Sequence, residues 1–183
     1  MHYIAERQTS RWSSRCFCQE ILLVISCIIE RKSDLKVLII QAGDESKLLN
    51  DLCGLFDKNI TLVKNIENSK VKEYLHESKC YVLTSDVEGM SLSTIEAIQA
   101  GCLPVVRPVG EIKNYLSETA CVKIYETDIQ SLINIADRII CLLNDVNEAN
   151  LIIANAGSSI KRIGFYTEQL TAAIKMCGVD EGT

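Results

Sequence analysis

The chain is poor in residues that break a fold apart. It has two prolines and nine glycines in 183 residues. No Pro/Gly/Ser-rich stretch is long enough to act as a linker, and no internal repeat or low-complexity segment occurs. One domain over residues 1–183 is therefore expected, with a sheet core over about 1–145 and trailing helices over about 146–183. Aromatic residues are few: one Trp, six Tyr and three Phe. They offer little for base stacking. Basic residues are outnumbered, 19 against 24 acidic, for a net charge of −5. Counterion release then gives no general affinity for nucleic acid. Disorder is excluded as the main state, because 48% of the residues are hydrophobic and the net charge is small. A chain of this size removes roughly 70% of its unfolded surface on folding.

Paired cysteines are also lacking. The nine cysteines (16, 18, 27, 53, 80, 102, 121, 141 and 177) are odd in number and scattered, with no C-x-x-C pair. Most sit among Ile, Leu and Val, and they read as small buried hydrophobes in a reducing compartment. Cys16-x-Cys18 and His76-x-x-x-Cys80 have metal-like spacing. Neither has a second pair to complete four ligands, so no metal site is expected.

No apolar run is long enough to span a bilayer. Residues 21–29 (ILLVISCII) fall well short of the roughly 20 that a spanning helix needs. Arg7, Arg11 and Arg15 precede the run and imitate a signal peptide. Gln19 and Glu20 interrupt the approach, and Glu30, Arg31 and Lys32 follow where a cleavage site would have to be. A buried helix and a cytoplasmic location are expected, with peripheral association at the inner face of a membrane left open.

Strands alternate with helices along the chain. Strands are predicted at 2–6, 36–41, 60–63, 80–83, 104–107 and 122–124. Helices are predicted from Ser13 or Ser14 to about 31, at 45–56, 69–78 with Ser69 as N-cap, 93–100 closed by Gly101, and 111–116. Three more follow at 129–143, 147–163 and 166–177. The strands are short and apolar on both faces, with helical crossovers. The pattern is α/β: a doubly wound, Rossmann-like parallel sheet of about six strands with C-terminal helices. Such sheets bind ligands at the carboxyl ends of their strands, near the switch point.

Residues 81–106 (YVLTSDVEGMSLSTIEAIQAGCLPVV) carry the most information. A strand leads to Thr84 and Ser85, a turn holds Glu88 and Gly89, and a helix carries Glu96. The first carboxylate sits on a loop at a strand's carboxyl end. The second lies about one turn into the next helix. The amides of Met90, Ser91 and Leu92 stand at the helix entrance, where unpaired N–H groups and the dipole favour an anion. Two acidic groups flanking an anion hole suit a ligand with hydroxyls at both ends and phosphate between them, such as a nucleoside diphosphate sugar. Taken alone, the Glu88–Glu96 spacing describes solvated helix charge equally well, and Gly89 and Gly101 fit ordinary turn and cap positions.

This segment closely resembles the donor-binding domain of glycosyltransferase family 4 (group 1), which has the GT-B fold. Ser85, Glu88-Gly89, Glu96-Ala97, Gly101 and Pro104-Val105-Val106 match its signature in order and spacing. The resemblance extends more weakly over most of the chain. It implies a retaining, metal-independent glycosyltransferase that uses a UDP-, GDP- or ADP-sugar and needs no other cofactor. It also implies roles by position. Glu88, on the Glu88-Gly89 turn, would hydrogen-bond the transferred sugar. Glu96 would hold the ribose hydroxyls, and the amides of Met90, Ser91 and Leu92 the distal phosphate. An Arg and a Lys after the first strand neutralise the leaving diphosphate in this family. Arg7 fits the first. Arg11 is nearest the second, with Arg15 open, and an Arg there differs from a compact Lys charge.

Three further features bear on the reading. Lys64 stands where many members have Gly, in the stretch that passes the base, and Asn65 beside it joins Gly89 among the nucleotide-binding candidates. Asn114 stands where a Glu is common, counting from Gly110. Family members also place an acceptor-binding domain first, whereas this chain begins just inside the first strand of the second half. The expectation is the donor-binding half of a retaining hexosyltransferase with an unknown acceptor. Its partners would be a nucleoside diphosphate sugar and an N-terminal acceptor domain, carried on another chain or lost by truncation. The alternative is a degenerate, non-catalytic module that binds a nucleotide sugar or a protein partner. A sugar-nucleotide epimerase half would need a different acid/His constellation, which the sequence does not contain.

Overall fold

The computed structural model describes residues 3–7, 17–41 and 47–176, with side chains described over 20–40 and 49–163. The strands are β1 (Tyr3–Arg7), β2 (Val37–Gln41), β3 (Ile60–Lys64), β4 (Ser78–Leu83), β5 (Leu103–Val106) and β6 (Val122–Lys123). They form one sheet in the order β3-β2-β1-β4-β5-β6, and every pairing is parallel. The helices are α1 (Phe17–Arg31), α2 (Lys47–Leu55), α3 (Asn68–Glu77), α4 (Leu92–Gln99), α5 (Ile112–Tyr115), α6 (Ile129–Asn144) and α7 (Val146–Met176). The expected doubly wound α/β sheet is present, although β6 is only two residues long.

Both faces of the sheet are buried, which is why the strands read as continuous apolar runs. Alternate side chains enter separate cores. Val37, Ile39, Cys80, Val82, Leu103 and Val105 join a cluster with α1, α2 and α6. Leu38, Ile40, Tyr81, Leu83 and Val106 join the other, with α3, α4 and α5. Helix α7 contributes Ile152 to the first cluster and Ala156 to the second. The run 21–29 is the buried part of α1: Ile21, Leu22, Val24, Ile25, Cys27, Ile28 and Ile29 are all core residues. Burying one such aliphatic side chain contributes roughly 1.5–3 kcal/mol, which accounts for so apolar a helix. Among the described residues, no helix is long and apolar enough to cross a membrane.

Some boundaries depart from expectation. Ser69 does not cap α3. The Glu67 carbonyl accepts from the Lys70 and Val71 N–H groups and so opens the helix at Asn68. Ser69 lies within the first turn, its hydroxyl donating to the Glu67 carboxylate at 3.4 Å. Strand β4 begins at Ser78, directly after α3. The two helices expected at 147–163 and 166–177 are one continuous helix, α7. A glycine inside a helix costs only about 1 kcal/mol and removes no hydrogen bond, so Gly164 does not end it. Gly101 closes α4 as expected. Its φ is +88°, its N–H donates to Ile98 C=O, and the Cys102 N–H donates to Ala97 C=O, a Schellman-type stop. The expected caps Ser13 and Ser14 lie outside the described residues.

Candidate functional site

The chain reverses its winding between β1 and β4. From β1 it proceeds outward through β2 to β3, then returns to lay β4 on the other side of β1. The carboxyl ends of β1 and β4 therefore border the switch-point crevice, where ligands bind in this architecture. Glu88, Gly89 and the entrance of α4 follow directly from β4, and Glu96 is the fifth residue of α4. Both glutamates are half-buried, and Glu96 is held by interactions within the protein.

The turn into α4 is held through its carbonyls. Gly89 C=O accepts from the Glu111 N–H at 3.0 Å, and Met90 C=O accepts from the Tyr115 hydroxyl at 3.0 Å. Ser91 C=O accepts from the Thr94 N–H at 3.1 Å. Ser91 sits in the left-handed region (φ 53°, ψ 70°), and its side chain makes no capping bond to the helix. Its hydroxyl instead meets Thr94 Oγ1 at 2.9 Å. Among the described residues, the N–H groups of Met90, Ser91 and Leu92 have no backbone acceptor. They lie at the positive end of a helix dipole. Ser85 braces the loop from within, donating to Val87 C=O at 3.1 Å.

The segment after β5 lies directly against this turn. Gly110 adopts φ +55°. A Cβ at Gly110 would stand 2.1 Å from the Glu88 carbonyl oxygen and 2.5 Å from that of Gly89, so no side chain fits there. Burial pushes the Tyr115 hydroxyl upward in pKa, and the neighbouring Glu88 carboxylate adds to the shift. Asn114, at the position where the family commonly has Glu, donates to the Glu111 carboxylate at 2.8 Å.

Sequence reasoning missed Arg107. Its side chain is 14% exposed and pairs with Asp86, and with Glu20 at 3.5 Å. It also donates to Thr84 C=O at 3.4 Å. Burial raises the pKa of Glu20 against the pull of Arg107, with Asp86 adding to the rise and a hydrogen bond from Thr127 opposing it. Thr84 Oγ1, buried at the root of the loop, has no hydrogen-bond partner among the described residues. A cation at the carboxyl end of a central strand in a doubly wound sheet was the available signal for Arg107.

The other candidates are not all brought to this point. Arg7 is the last residue of β1, which places its backbone at the crevice. Arg11 and Arg15 lie outside the described residues. Asn65 follows β3 with φ 49°. At about 4.8 Å between neighbouring strands, β3 lies roughly 14 Å across the sheet from β4, so Asn65 borders the same end of the sheet without adjoining Glu88. Lys64 Nζ reaches Asn50 Oδ1 at 3.5 Å. Among the described residues, no three His, Cys, Asp or Glu side chains are grouped as metal ligands. A groove of about 500 Å³, lined by residues such as Lys113, Lys123, Asn155 and Arg162, runs along α5 and α7 rather than at the glutamates.

Comparison with known structures places this fold among glycosyltransferases. The pneumococcal O-GlcNAc transferase GtfA, solved with UDP and GlcNAc, superposes with a TM-score of 0.74 at 16% identity, covering 97% of this chain and 36% of that one. A trehalose-6-phosphate synthase superposes at 0.72 with 14% identity, covering 96% and 45%. The C-terminal domain of LpcC, a glycosyl transferase group 1 family protein from Francisella tularensis, superposes at 0.69 with 17% identity, covering 88% and 85%. This chain thus spans between a third and a half of the first two structures and most of the third. A comparison with curated protein sequences gives no match. The family model for glycosyl transferases group 1 matches residues 19–158, a span that takes in the sheet from β2 onward and both glutamates, and the chain belongs to that family.

Proposed function

We propose that this chain is the donor-binding half of a retaining glycosyltransferase that uses a nucleoside diphosphate sugar. The observation that carries the reading is the α4 entrance. Three N–H groups without backbone acceptors lie at the switch point, with a half-buried Glu before them and another after them in the chain. Family membership and the likeness to a transferase solved with UDP and GlcNAc support it. In this reading Glu88 binds hydroxyls of the transferred sugar, Glu96 binds the ribose, and the Met90–Leu92 amides bind the distal phosphate. Arg7, with Arg11 or Arg15, offsets charge developing on the leaving diphosphate. Asn65 contacts the nucleotide at the far side of the crevice. The rim of the site is apolar and exposed: Val87 is 79% and Leu92 69% accessible. That favours a cleft whose second wall is another domain, on the acceptor side.

The test is calorimetric titration with UDP, GDP and ADP and their glucose and N-acetylglucosamine conjugates. A hydrogen bond to a charged carboxylate contributes roughly 1.5–3 kcal/mol. Glu96→Ala should therefore weaken binding of the preferred nucleotide by about 10- to 100-fold. Unchanged binding in Glu96→Ala sinks the ribose role. No binding of any nucleotide at millimolar concentration rejects the donor-half reading in favour of a non-catalytic partner module, which the replacement of the common Gly and Glu by Lys64 and Asn114 would then explain.

A further inference from the structure

We infer that Arg107 and Tyr115 are positioning residues that fix the Glu88 loop, and with it the preference for a sugar-bearing donor over the bare nucleotide. The inference rests on the role proposed for Glu88. The loop has little packing of its own: Asp86, Val87, Gly89 and Met90 are all exposed. A segment with few buried contacts opens locally unless its polar groups are held. Those groups are held from one side, by the segment that follows β5. Arg107 takes the Asp86 carboxylate and the Thr84 carbonyl, before Glu88. The Glu111 N–H and the Tyr115 hydroxyl take the Gly89 and Met90 carbonyls, after it. Gly110 lies against the Glu88 carbonyl between them. Glu88 is thus bracketed on both sides of its own peptide.

The bracket is anchored at each end. Arg107 is largely shielded from water and also meets Glu20 on α1, so its pairing is less screened than a surface ion pair. Tyr115 is half-buried in the second core cluster. A tyrosine hydroxyl in such a place needs a fixed acceptor, and Met90 C=O provides it. Neither side chain is assigned to ligand. Both act on Glu88 through the backbone of its loop.

The experiment compares Arg107→Met, Arg107→Lys and Tyr115→Phe with the unmodified chain in two measurements. The first is ligand-free amide hydrogen exchange at Glu111, whose N–H is bonded to Gly89 C=O. The second is the ratio of dissociation constants for UDP and UDP-glucose, or for the GDP or ADP pair if that base is preferred. We expect faster exchange at Glu111 in Arg107→Met and Tyr115→Phe, with the slowest core amides unchanged. We expect Arg107→Met to lose about tenfold more affinity for the sugar nucleotide than for the bare nucleoside diphosphate, and Arg107→Lys to recover part of that difference. Wild-type exchange at Glu111 in both Arg107→Met and Tyr115→Phe overturns the inference, as does an unaltered sugar preference in both. If Arg107→Met does not fold, Tyr115→Phe decides alone. If the unmodified chain shows no sugar preference, the role of Glu88 fails, and exchange at Glu111 still decides whether the two residues hold the loop.

Discussion

Two glycines in the site do opposite things. At Gly110 the backbone is left-handed and a Cβ would collide with the Glu88 carbonyl. Gly110→Ala should cost about 1–2 kcal/mol from the backbone alone and displace the Glu88 peptide. The expected outcome is a lower melting temperature and weaker binding of sugar nucleotide. At Gly89, by contrast, a Cβ would meet nothing within 4 Å. Gly89→Ala should leave the melting temperature near that of the parent, and in the proposed donor site it should weaken ligand binding alone. Equal effects of the two substitutions on stability would contradict this assignment. The cysteines follow burial. Cys27, Cys80, Cys102 and Cys121 are buried and Cys141 is exposed. Burial raises the Cys80 thiol well above its usual range, Cys102 to about 12 and Cys121 to about 11. Since the thiolate is the nucleophile, alkylation at pH 8 followed by peptide mapping should find Cys141 modified, and Cys80, Cys102 and Cys121 modified only after denaturation.

Among the elements, α6 shows how a single cap acts. Asp128 accepts from the Ser131 N–H at 3.1 Å, and its bonds to Ser131 hold the carboxyl below its usual pKa. The sign follows directly. A carboxyl lowered by folding stabilises above its unfolded pKa, and that contribution is lost as pH falls through the lowered folded value. Asp128→Asn keeps a competent cap and should flatten the acid limb of a melting-temperature profile between pH 5 and pH 2. Asp128→Ala should lower the melting temperature at neutral pH. An unaltered acid limb in Asp128→Asn would remove Asp128 from the acid response. Capping and periodicity also explain which elements were legible. The apolar run of α1, the short strands and the Gly101 stop are local signals, and all of them hold. Ser69 resembles a cap in sequence, whereas Glu67 opens α3 with its carbonyl and no side-chain cap. The two helices expected at 147–163 and 166–177 are one, because the intervening Gly164 is tolerated inside a helix.

For the molecule as a whole, ligand binding and folding are coupled. A nucleotide present at 100 times its dissociation constant stabilises the folded state by about 2.7 kcal/mol. For a domain of this size that corresponds to a rise in melting temperature of roughly 5–10 °C. The proposed donor half should show this rise with one base class and show no sugar transfer on its own. Transfer that appears on adding an acceptor-side domain would support the two-wall cleft; transfer by the chain alone would refute it. The sequence by itself determined the fold class and the order of the elements, because these depend on local periodicity, and it placed Glu88 and Glu96 on one strand-turn-helix unit. Only the tertiary structure decided what holds that unit in place. Arg107 and Glu20 lie 87 positions apart and Tyr115 and Met90 lie 25 apart, and Gly110 meets Glu88 across a loop. Such contacts arise when the sheet order sets β4 beside both β1 and β5, and no short-range pattern in the chain encodes that placement.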